Sequence, residues 1–412
     1  MDNTIDASYF KTLNHNHFYW IKESVEVVKD ILVQHTNRGE LVLDPFCGSG
    51  TTGLAAILTG RRAALSDISA AAFYLSSGLL EFLPPDLLSR ALNEFTKEVR
   101  RCFDQHYCTQ CPVCQQDSAQ VLFKVWNANP GVLSYSFKQT AAIIRCHHCN
   151  KRMVHGESID DAGETFTLTG RQLEEHQVFS PLNSRVLEKL RGQINAYSPG
   201  KIKNKLIYAF ILTLREGSIF RHKNGKIADM QRAKFPKTIY EKNILTIFTS
   251  KLQKILSTHH LISTGTSSNI RISVCTASNL PHISNGSVDL CYYDIPYGSD
   301  KRFSELNALW ESWLTEKTKK SHEIYFETNN EVSYRHYYQA LVPVFREAYR
   351  VLKKGKFLLI PFSLKYKYIY PYLEQAILHA GFKTASRCRG RLQSQRKIST
   401  KHWEYYLLRY IK

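Results

Sequence analysis

Short apolar runs rich in β-branched and aromatic residues recur at both ends of the chain, each bounded by turn-forming residues. Leu41–Asp44, Ala63–Ile68, Ile270–Leu280, Val288–Asp294, Lys356–Ser363, Phe382–Cys388 and Trp403–Ile411 have this texture and predict strands. Between them apolar residues return at helical spacing. Ile21, Val25, Val28 and Ile31/Leu32 predict a helix over Ile21–Gln34. Further helices are expected over Thr51–Thr59, over Ala70–Arg101 with a break at Pro84-Pro85, over Arg335–Leu352 and over Ile369–Ala380. Leu306, Leu309/Trp310 and Trp313/Leu314 share one helical face, which predicts a core-packed helix over Phe303–Leu314. Helices and strands alternate on both sides of a long central segment, the signature of one mostly parallel α/β sheet split in sequence.

The central segment has another character. Cys111-Pro-Val-Cys114 and Cys146-His-His-Cys149 flank a strand-prone, aromatic stretch (Val121–Trp126, Leu133–Phe137). The chain has ten cysteines and a polar start at Met1–Phe10, unlike a secretory signal, so paired cysteines indicate metal before disulfide. Four thiolates in a tetrahedron suit zinc, with Cys108, His147 and His148 as alternative ligands. Such an ion would fold its own module, either to read bases or to stiffen an insertion.

Charge sharpens this picture. The 412 residues carry a formal charge of +19, and Arg185–Lys254 alone holds sixteen Lys/Arg against four Asp/Glu. Tyr197, Tyr208, Phe210, Phe220, Phe235 and Tyr240 interleave those charges, and Ser263–Asn269 reads as a linker beyond them. A clustered cationic excess points to a polyanion bound through its phosphates. A second basic stretch, Arg387-Cys-Arg-Gly-Arg391 with Arg396-Lys397, is expected as a loop between the last two strands. No apolar run reaches the roughly 18–20 residues of a membrane span, so a cytoplasmic protein without a membrane partner is expected.

Two strand ends carry candidate chemistry. Leu41-Val-Leu-Asp-Pro-Phe-Cys-Gly-Ser-Gly-Thr-Thr-Gly53 runs from a strand into a glycine turn and a helix. Gly48, Gly50 and Gly53 satisfy G-x-G-x-x-G, but Asp44-Pro45-Phe46 stands between strand and glycines. An acid there suits an ammonium group or a ribose better than a pyrophosphate. Asp67, at the end of the next strand, suits ribose hydroxyls. The second site is Asp294-Ile295-Pro296-Tyr297: one carboxylate followed by an aromatic suits a planar ligand bearing an amine.

The first of these stretches resembles the opening motif of S-adenosylmethionine-dependent methyltransferases. The second resembles the Asp-Pro-Pro-Tyr motif of amino-methyltransferases, with Ile295 in place of the first proline. The stretch Phe303-Ser-Glu-Leu306, together with the cysteine pairs, resembles adenine-specific DNA methylases containing a zinc ribbon. The resemblance implies a doubly wound, mostly parallel α/β fold of the class I methyltransferase type, interrupted by a zinc ribbon and a basic helical insertion. Its expected parts are a cofactor half (residues 1–101), the ribbon (102–160), a target-recognition insertion (161–265) and a catalytic half (266–412). It implies S-adenosylmethionine held by Asp44, Pro45, Phe46, Gly48, Ser49, Gly50, Thr51 and Asp67. His17–Lys22 resembles the segment that closes over the methionine end of that cofactor. Where the family places an acid for the adenine amine this chain has Thr276, which weakens that contact or moves it to Ser278 or Asn279. It further implies catalysis by Asp294, Ile295, Pro296 and Tyr297 on a base flipped from duplex DNA, and zinc on Cys111, Cys114, Cys146 and Cys149. Adenine N6 is favoured over cytosine N4, and a partner restriction endonuclease is compatible with such enzymes. Two alternatives stand beside this reading: an RNA base amino-methyltransferase, and a nucleic-acid-binding protein on an inactive methylase fold.

Overall fold

The structure, a computed structural model, describes residue 19 and residues 23–131, 134–155, 165–169, 178–219, 237–260, 262, 269–296, 302–315, 318, 322–327, 330–392 and 403–412. In chain order the elements of the first part are α1 (Val25–His35), β1 (Leu41–Asp44), α2 (Thr51–Thr59), β2 (Arg62–Asp67), α3 (Ala70–Leu80) and α4 (Pro85–Phe103). The middle holds β3 (Cys108–Thr109), β4 (Ala119–Pro130), β5 (Ser134–Cys146), β6 (Arg152–His155), β7 (Thr165–Thr169), α5 (Pro181–Ala196), α6 (Lys201–Gly217), β8 (Thr238–Lys242) and α7 (Ile244–His259). The last part holds β9 (Ile270–Val274), β10 (Val288–Tyr292), α8 (Phe303–Leu306), α9 (Ala308–Glu311), α10 (Glu331–Val351), β11 (Leu352–Ser363), α11 (Tyr370–His379), β12 (Lys383–Leu392) and β13 (Trp403–Ile411). These fall into two compact units: residues 1–82, 260–304 and 315–412 form the first, and residues 83–259 and 305–314 form the second.

The first unit is built on a seven-stranded sheet in the order β12-β13-β11-β10-β1-β2-β9, with β13 antiparallel to both neighbours and the pairs from β11 to β9 parallel. This is the doubly wound, mostly parallel α/β sheet expected from the sequence. From β1 the chain winds outward to β2 and β9, then returns to place β10 on the other side of β1. The reversal opens a crevice between the carboxyl ends of β1 and β10, the usual ligand position in such sheets. Val42 pairs with Leu290 and Leu43 with Cys291. One residue further on, Asp44 stands level with Tyr292, two residues before Asp294.

Burial explains why these strands are continuous apolar runs. Val42, Leu43, Leu290 and Cys291 are completely buried, because helices or loops cover both faces. On one face of the sheet, α1 buries Val25, Val28 and Leu32 against a cluster that includes Leu54, Leu65, Leu290 and Leu359. On the other face, Leu341, Phe345 and Ile377 pack with Cys291, Leu358 and Leu408. Buried Arg61 fastens α1 to α2: it donates to the Thr36 carbonyl (2.6 Å), the Thr36 hydroxyl (3.2 Å) and the Thr59 carbonyl (2.6 Å). At the amino end of the sheet, buried Asp289 accepts from the Leu41 amide (2.9 Å) and from Lys353 Nζ (2.6 Å).

In the second unit β3, β4, β5 and β6 form an antiparallel sheet, which β7 and β8 extend by pairing with β5 and β4. Helices α4 to α7 and α9 form the rest, with Phe95 edge-on to Phe248 (6.0 Å) and Tyr197 (5.4 Å). The buried Glu241 carboxylate anchors strands to helices. It accepts from Trp126 Nε1 and Asn183 Nδ2, each at 2.8 Å, while Tyr107 donates to Asn183 Oδ1 at 2.6 Å.

The structure departs from the sequence-based elements in two places. The single helix expected over Phe303–Leu314 is two separate turns, α8 and α9, parted by Asn307. Ser304 is held through its amide (2.9 Å) and hydroxyl (2.6 Å) by Glu323, while the Asn307 carbonyl starts a new turn by accepting from Trp310 and Glu311. Arg389, Gly390 and Arg391 belong to β12 rather than to a loop, because β13 begins early enough to pair them with Tyr406, Tyr405 and Glu404. Arg396 and Lys397 lie outside the described residues, as do Leu133, Phe220, Phe235, His17, Phe18 and residues 20–22. Among the described residues no helix is long and apolar enough to cross a membrane.

Candidate active site

The glycine turn after β1 is held by two acids. Asp44, buried, accepts from the Phe46 amide (3.0 Å) and the Thr52 hydroxyl (2.6 Å), joining strand, turn and the first turn of α2. Asp67, at the end of β2, accepts from the Gly48 amide (3.0 Å) and the Ser69 amide (2.9 Å). The acids read from sequence as ligand contacts therefore also shape the turn, and each carboxylate oxygen retains lone pairs for a further donor. Gly48 has φ +48°, and a Cβ there would lie 2.7 Å from the Tyr19 ring, so only glycine fits beneath that aromatic. Gly53, inside α2, would set a Cβ 2.5 Å from both Leu65 and Leu80, which is how the helix comes close to β2. Ser49 and Thr51 are buried with their hydroxyls 3.4 Å apart, Pro45 is buried, and Gly50 precedes α2. The half-buried Phe46 ring meets Tyr293 edge-on at 5.8 Å.

Thr276 follows β9. Its hydroxyl contacts Ser278 Oγ at 2.5 Å and accepts from the Ser278 amide at 3.0 Å, so the two polar side chains satisfy each other, and Asn279 is exposed.

Asp294 stands just past β10, half-buried, and among the described residues its carboxylate has no hydrogen-bond partner. Ile295 is buried in the core, and the Pro296 carbonyl accepts from Tyr337 of α10 at 3.2 Å. Tyr297 lies outside the described residues. Burial, followed by the nearby charges of Glu23 and Asp44, holds the Asp294 carboxyl well above the ordinary range. Burial likewise lifts Asp44 to about 7, opposed by its bonds from Thr52 and Phe46. Glu23 is pushed up to about 7 by burial, opposed by Tyr292, whose hydroxyl donates to it at 2.5 Å. Three carboxyls that feel one another in a low-dielectric crevice make a site suited to a cation and to amine hydrogens. Glu23, Tyr292 and Tyr337 escaped the sequence reading: neither spacing nor motif marks them, and only pairing across 269 residues (Glu23 with Tyr292) and 41 residues (Tyr337 with Pro296) reveals them. The acid directly after the aromatic segment at residues 17–22 was the one available signal.

In the second unit Cys111, Cys114, Cys146 and Cys149 bring their sulfurs within 4.8 Å of one another. Cys111 and Cys149 are 3.8 Å apart and Cys114 and Cys146 are 3.5 Å apart. A tetrahedral zinc with bonds near 2.3 Å needs sulfur separations of about 3.8 Å, so the donor set fits. The two knuckles are built alike: Gln115 and Asn150, each one residue beyond a pair, adopt positive φ of 55° and 54°. The Ser118 hydroxyl (3.3 Å) and the Cys149 amide (3.4 Å) lie against the Cys146 sulfur and hold its thiol well below the usual range, favouring thiolate. Cys108, His147 and His148 are exposed and outside the cluster.

Comparison with known proteins adds to this geometry. Residues 7–77 and 288–404 match the family model described as DNA methylase, on either side of the insertion. No curated protein sequence matches the chain. Among solved structures, an S-adenosylmethionine-dependent methyltransferase from Methanosarcina mazei is 9% identical, covering 93% of this chain and 96% of that one, with a TM-score of 0.32. A protein from Thermus thermophilus described as a candidate DNA modification methylase is 17% identical, covering 34% of this chain and 52% of that one (TM-score 0.22). The 16S rRNA (adenine(1408)-N(1))-methyltransferase from Catenulisporales acidiphilia is 12% identical over 36% of this chain and 64% of that one (TM-score 0.22). The two matched segments contain both the glycine turn and Asp294–Tyr297, so over those segments the chain is similar to the DNA methylase family.

Proposed function

We propose that the chain moves a methyl group from S-adenosylmethionine to the exocyclic amine of a base drawn out of duplex DNA, adenine N6 in preference to cytosine N4. The observation that carries this reading is Asp294: a carboxylate without a partner among the described residues, at the carboxyl end of β10, beside the strand that leads into the glycine turn. The family match supports DNA as the substrate. The donor, when bound, supplies an electrophilic methyl on a sulfonium.

The protein's own residues then have defined tasks. The exocyclic amine is a weak nucleophile because its lone pair is delocalised into the ring. A carboxylate at Asp294 and the Ile295 carbonyl would accept its two hydrogens and let the nitrogen pyramidalise. Ile295 keeps the carbonyl of the proline it replaces, and Tyr337 steadies the turn by donating to the next carbonyl, that of Pro296. Asp294, held above the ordinary carboxylate range, is matched to taking the proton that the methylated amine sheds. Tyr297 would stack on the extruded base and offset its lost stacking. Positioning and electrostatics supply most of the rate in such a displacement. Asp44, Asp67 and the turn from Gly48 to Thr51 would hold the donor, the four cysteines a structural zinc, and the basic insertion the DNA backbone.

The test is expression in methylase-free cells, followed by single-molecule sequencing of the genome to map the modified base and its site. Asp294→Ala should abolish the modification while the purified variant still binds S-adenosylmethionine. Full activity in that variant, or preferential methylation of RNA when RNA and duplex DNA compete, would overturn the proposal.

A further inference from the structure

The second unit contains a cavity of about 350 Å³, partly open to solvent and lined by residues far from the glycine turn in sequence. Its walls come from β7 (Phe166), the residue Phe179 just before α5, one face of α5 (Ser184, Glu188, Arg191) and the turn after α9 (Trp313). Most of these residues lie outside the two segments that match the DNA methylase family.

The lining combines rings with unspent polar groups. Trp313 is fixed edge-on by Phe179 (5.5 Å) and Phe210 (6.1 Å), and the Arg191 guanidinium lies 5.6 Å from its ring centre. Phe166 is fixed by stacking on Phe137 at 4.6 Å, with Trp126 at its edge (4.9 Å). Ser184, Glu188 and Arg191 recur at helical spacing, so they present a hydroxyl, a carboxylate and a guanidinium along one face of α5. Among the described residues Glu188 and Arg191 make no ion pair with each other or with a third group. Held rings, one acceptor-only group and one donor-only group are what a heterocycle with both kinds of edge requires. The volume lies at the small end of the ~300–1,000 Å³ range of ligand pockets, enough for one base with its sugar. The stretch Arg185–Lys254, to which Glu188 and Arg191 belong, carries a net charge of +12 in sequence, which favours a base that belongs to a nucleic-acid strand.

We infer that this cavity holds an unpaired nucleobase of the bound strand, separate from the base that Asp294 would methylate. Trp313 and Phe166 wall its faces, while Glu188 and Arg191 meet its amine and carbonyl edges. The inference rests on the proposed action on nucleic acid but not on methyl transfer, so the two can fail separately.

The test uses the full-length, zinc-loaded protein and two short duplexes of one sequence, one perfectly paired and one carrying 2-aminopurine in a single-nucleotide bulge. Wild type should bind the bulged duplex about tenfold more tightly, within the range that stacking of one base supports. Binding should quench the 2-aminopurine fluorescence. Trp313→Ala should erase the preference and the quenching, while Trp313→Phe keeps part of both. Because Trp313 packs against Phe179 and Phe210, exposed Glu188→Ala provides a second variant without that risk, and it should reduce the preference severalfold. Asp294→Ala, in the other unit, should keep the full preference even though it cannot methylate. Equal affinity of wild type for both duplexes, or an undiminished preference in both Trp313→Ala and Glu188→Ala, would overturn the inference. Free adenosine monophosphate competing as well as the bulged duplex would overturn the strand-borne assignment, since the site would then belong to a mononucleotide.

Discussion

Binding of the proposed methyl donor should strengthen as pH rises from about 6 to 7.5, because the crevice stores protons that a cation must expel. Burial lifts Glu23 from 4.5 to about 7 and Asp44 from 3.8 to about 7. The sign follows from proton counting. In the empty folded protein these carboxyls keep protons at pH values where the unfolded chain has lost them. The empty protein therefore loses stability as pH climbs from about 4 towards 7. A ligand bearing a sulfonium and an ammonium favours the carboxylate forms, so its binding releases protons below pH 7. One group titrating at about 7 is roughly 10% ionised at pH 6 and roughly 75% at pH 7.5, which strengthens binding about eightfold across the window. Two such groups acting together would give roughly 60-fold. Above about pH 7.7 the ligand's own amino group begins to lose its proton, so the window closes there. The assay is titration calorimetry with S-adenosylmethionine at several pH values, in two buffers of different ionisation enthalpy to count released protons. Asp44→Asn should remove one proton from that count. A dissociation constant flat with pH, or an Asp44→Asn protein releasing as many protons as wild type, would refute the reasoning.

Other consequences are simpler to check. Cys146→Ser should drop bound zinc from about one equivalent to near zero by elemental mass spectrometry, and limited proteolysis should then open the chain between residues 108 and 155. In the second unit, Glu241→Leu strands the donors of Trp126 and Asn183 and should cost about 2–4 kcal/mol in thermal unfolding. Glu241→Gln keeps one acceptor oxygen but turns its amide NH2 onto the other donor, so it should cost about 1–3 kcal/mol in the same measurement.

The contrast between the two cysteine knuckles and the carboxyl crevice shows where sequence reading succeeds. Each C-x-x-C pair, like the strand–turn–helix around Gly48, is complete within a dozen residues, so its chemistry is visible in the text. The strands were equally legible, since a segment buried on both faces must be apolar throughout. The helix expected over Phe303–Leu314 was misread for the complementary reason. Its apolar spacing is helical, yet Glu323 captures Ser304 from outside the segment and the chain breaks at Asn307.

By itself, then, the sequence determined the α/β alternation, the glycine turn, the C-x-x-C pairs, the basic insertion and the family they resemble. Tertiary structure alone decided the strand order that sets β1 beside β10. It also decided the partnership of Glu23 with Tyr292, the anchoring of Pro296 by Tyr337, and the aromatic cavity that unites Phe166, Arg191 and Trp313. Local conformation follows from side-chain periodicity and turn chemistry over a few residues. Electrostatic coupling and cavity shape depend on which distant residues the closed chain brings within a few ångströms, and no short stretch of sequence carries that information.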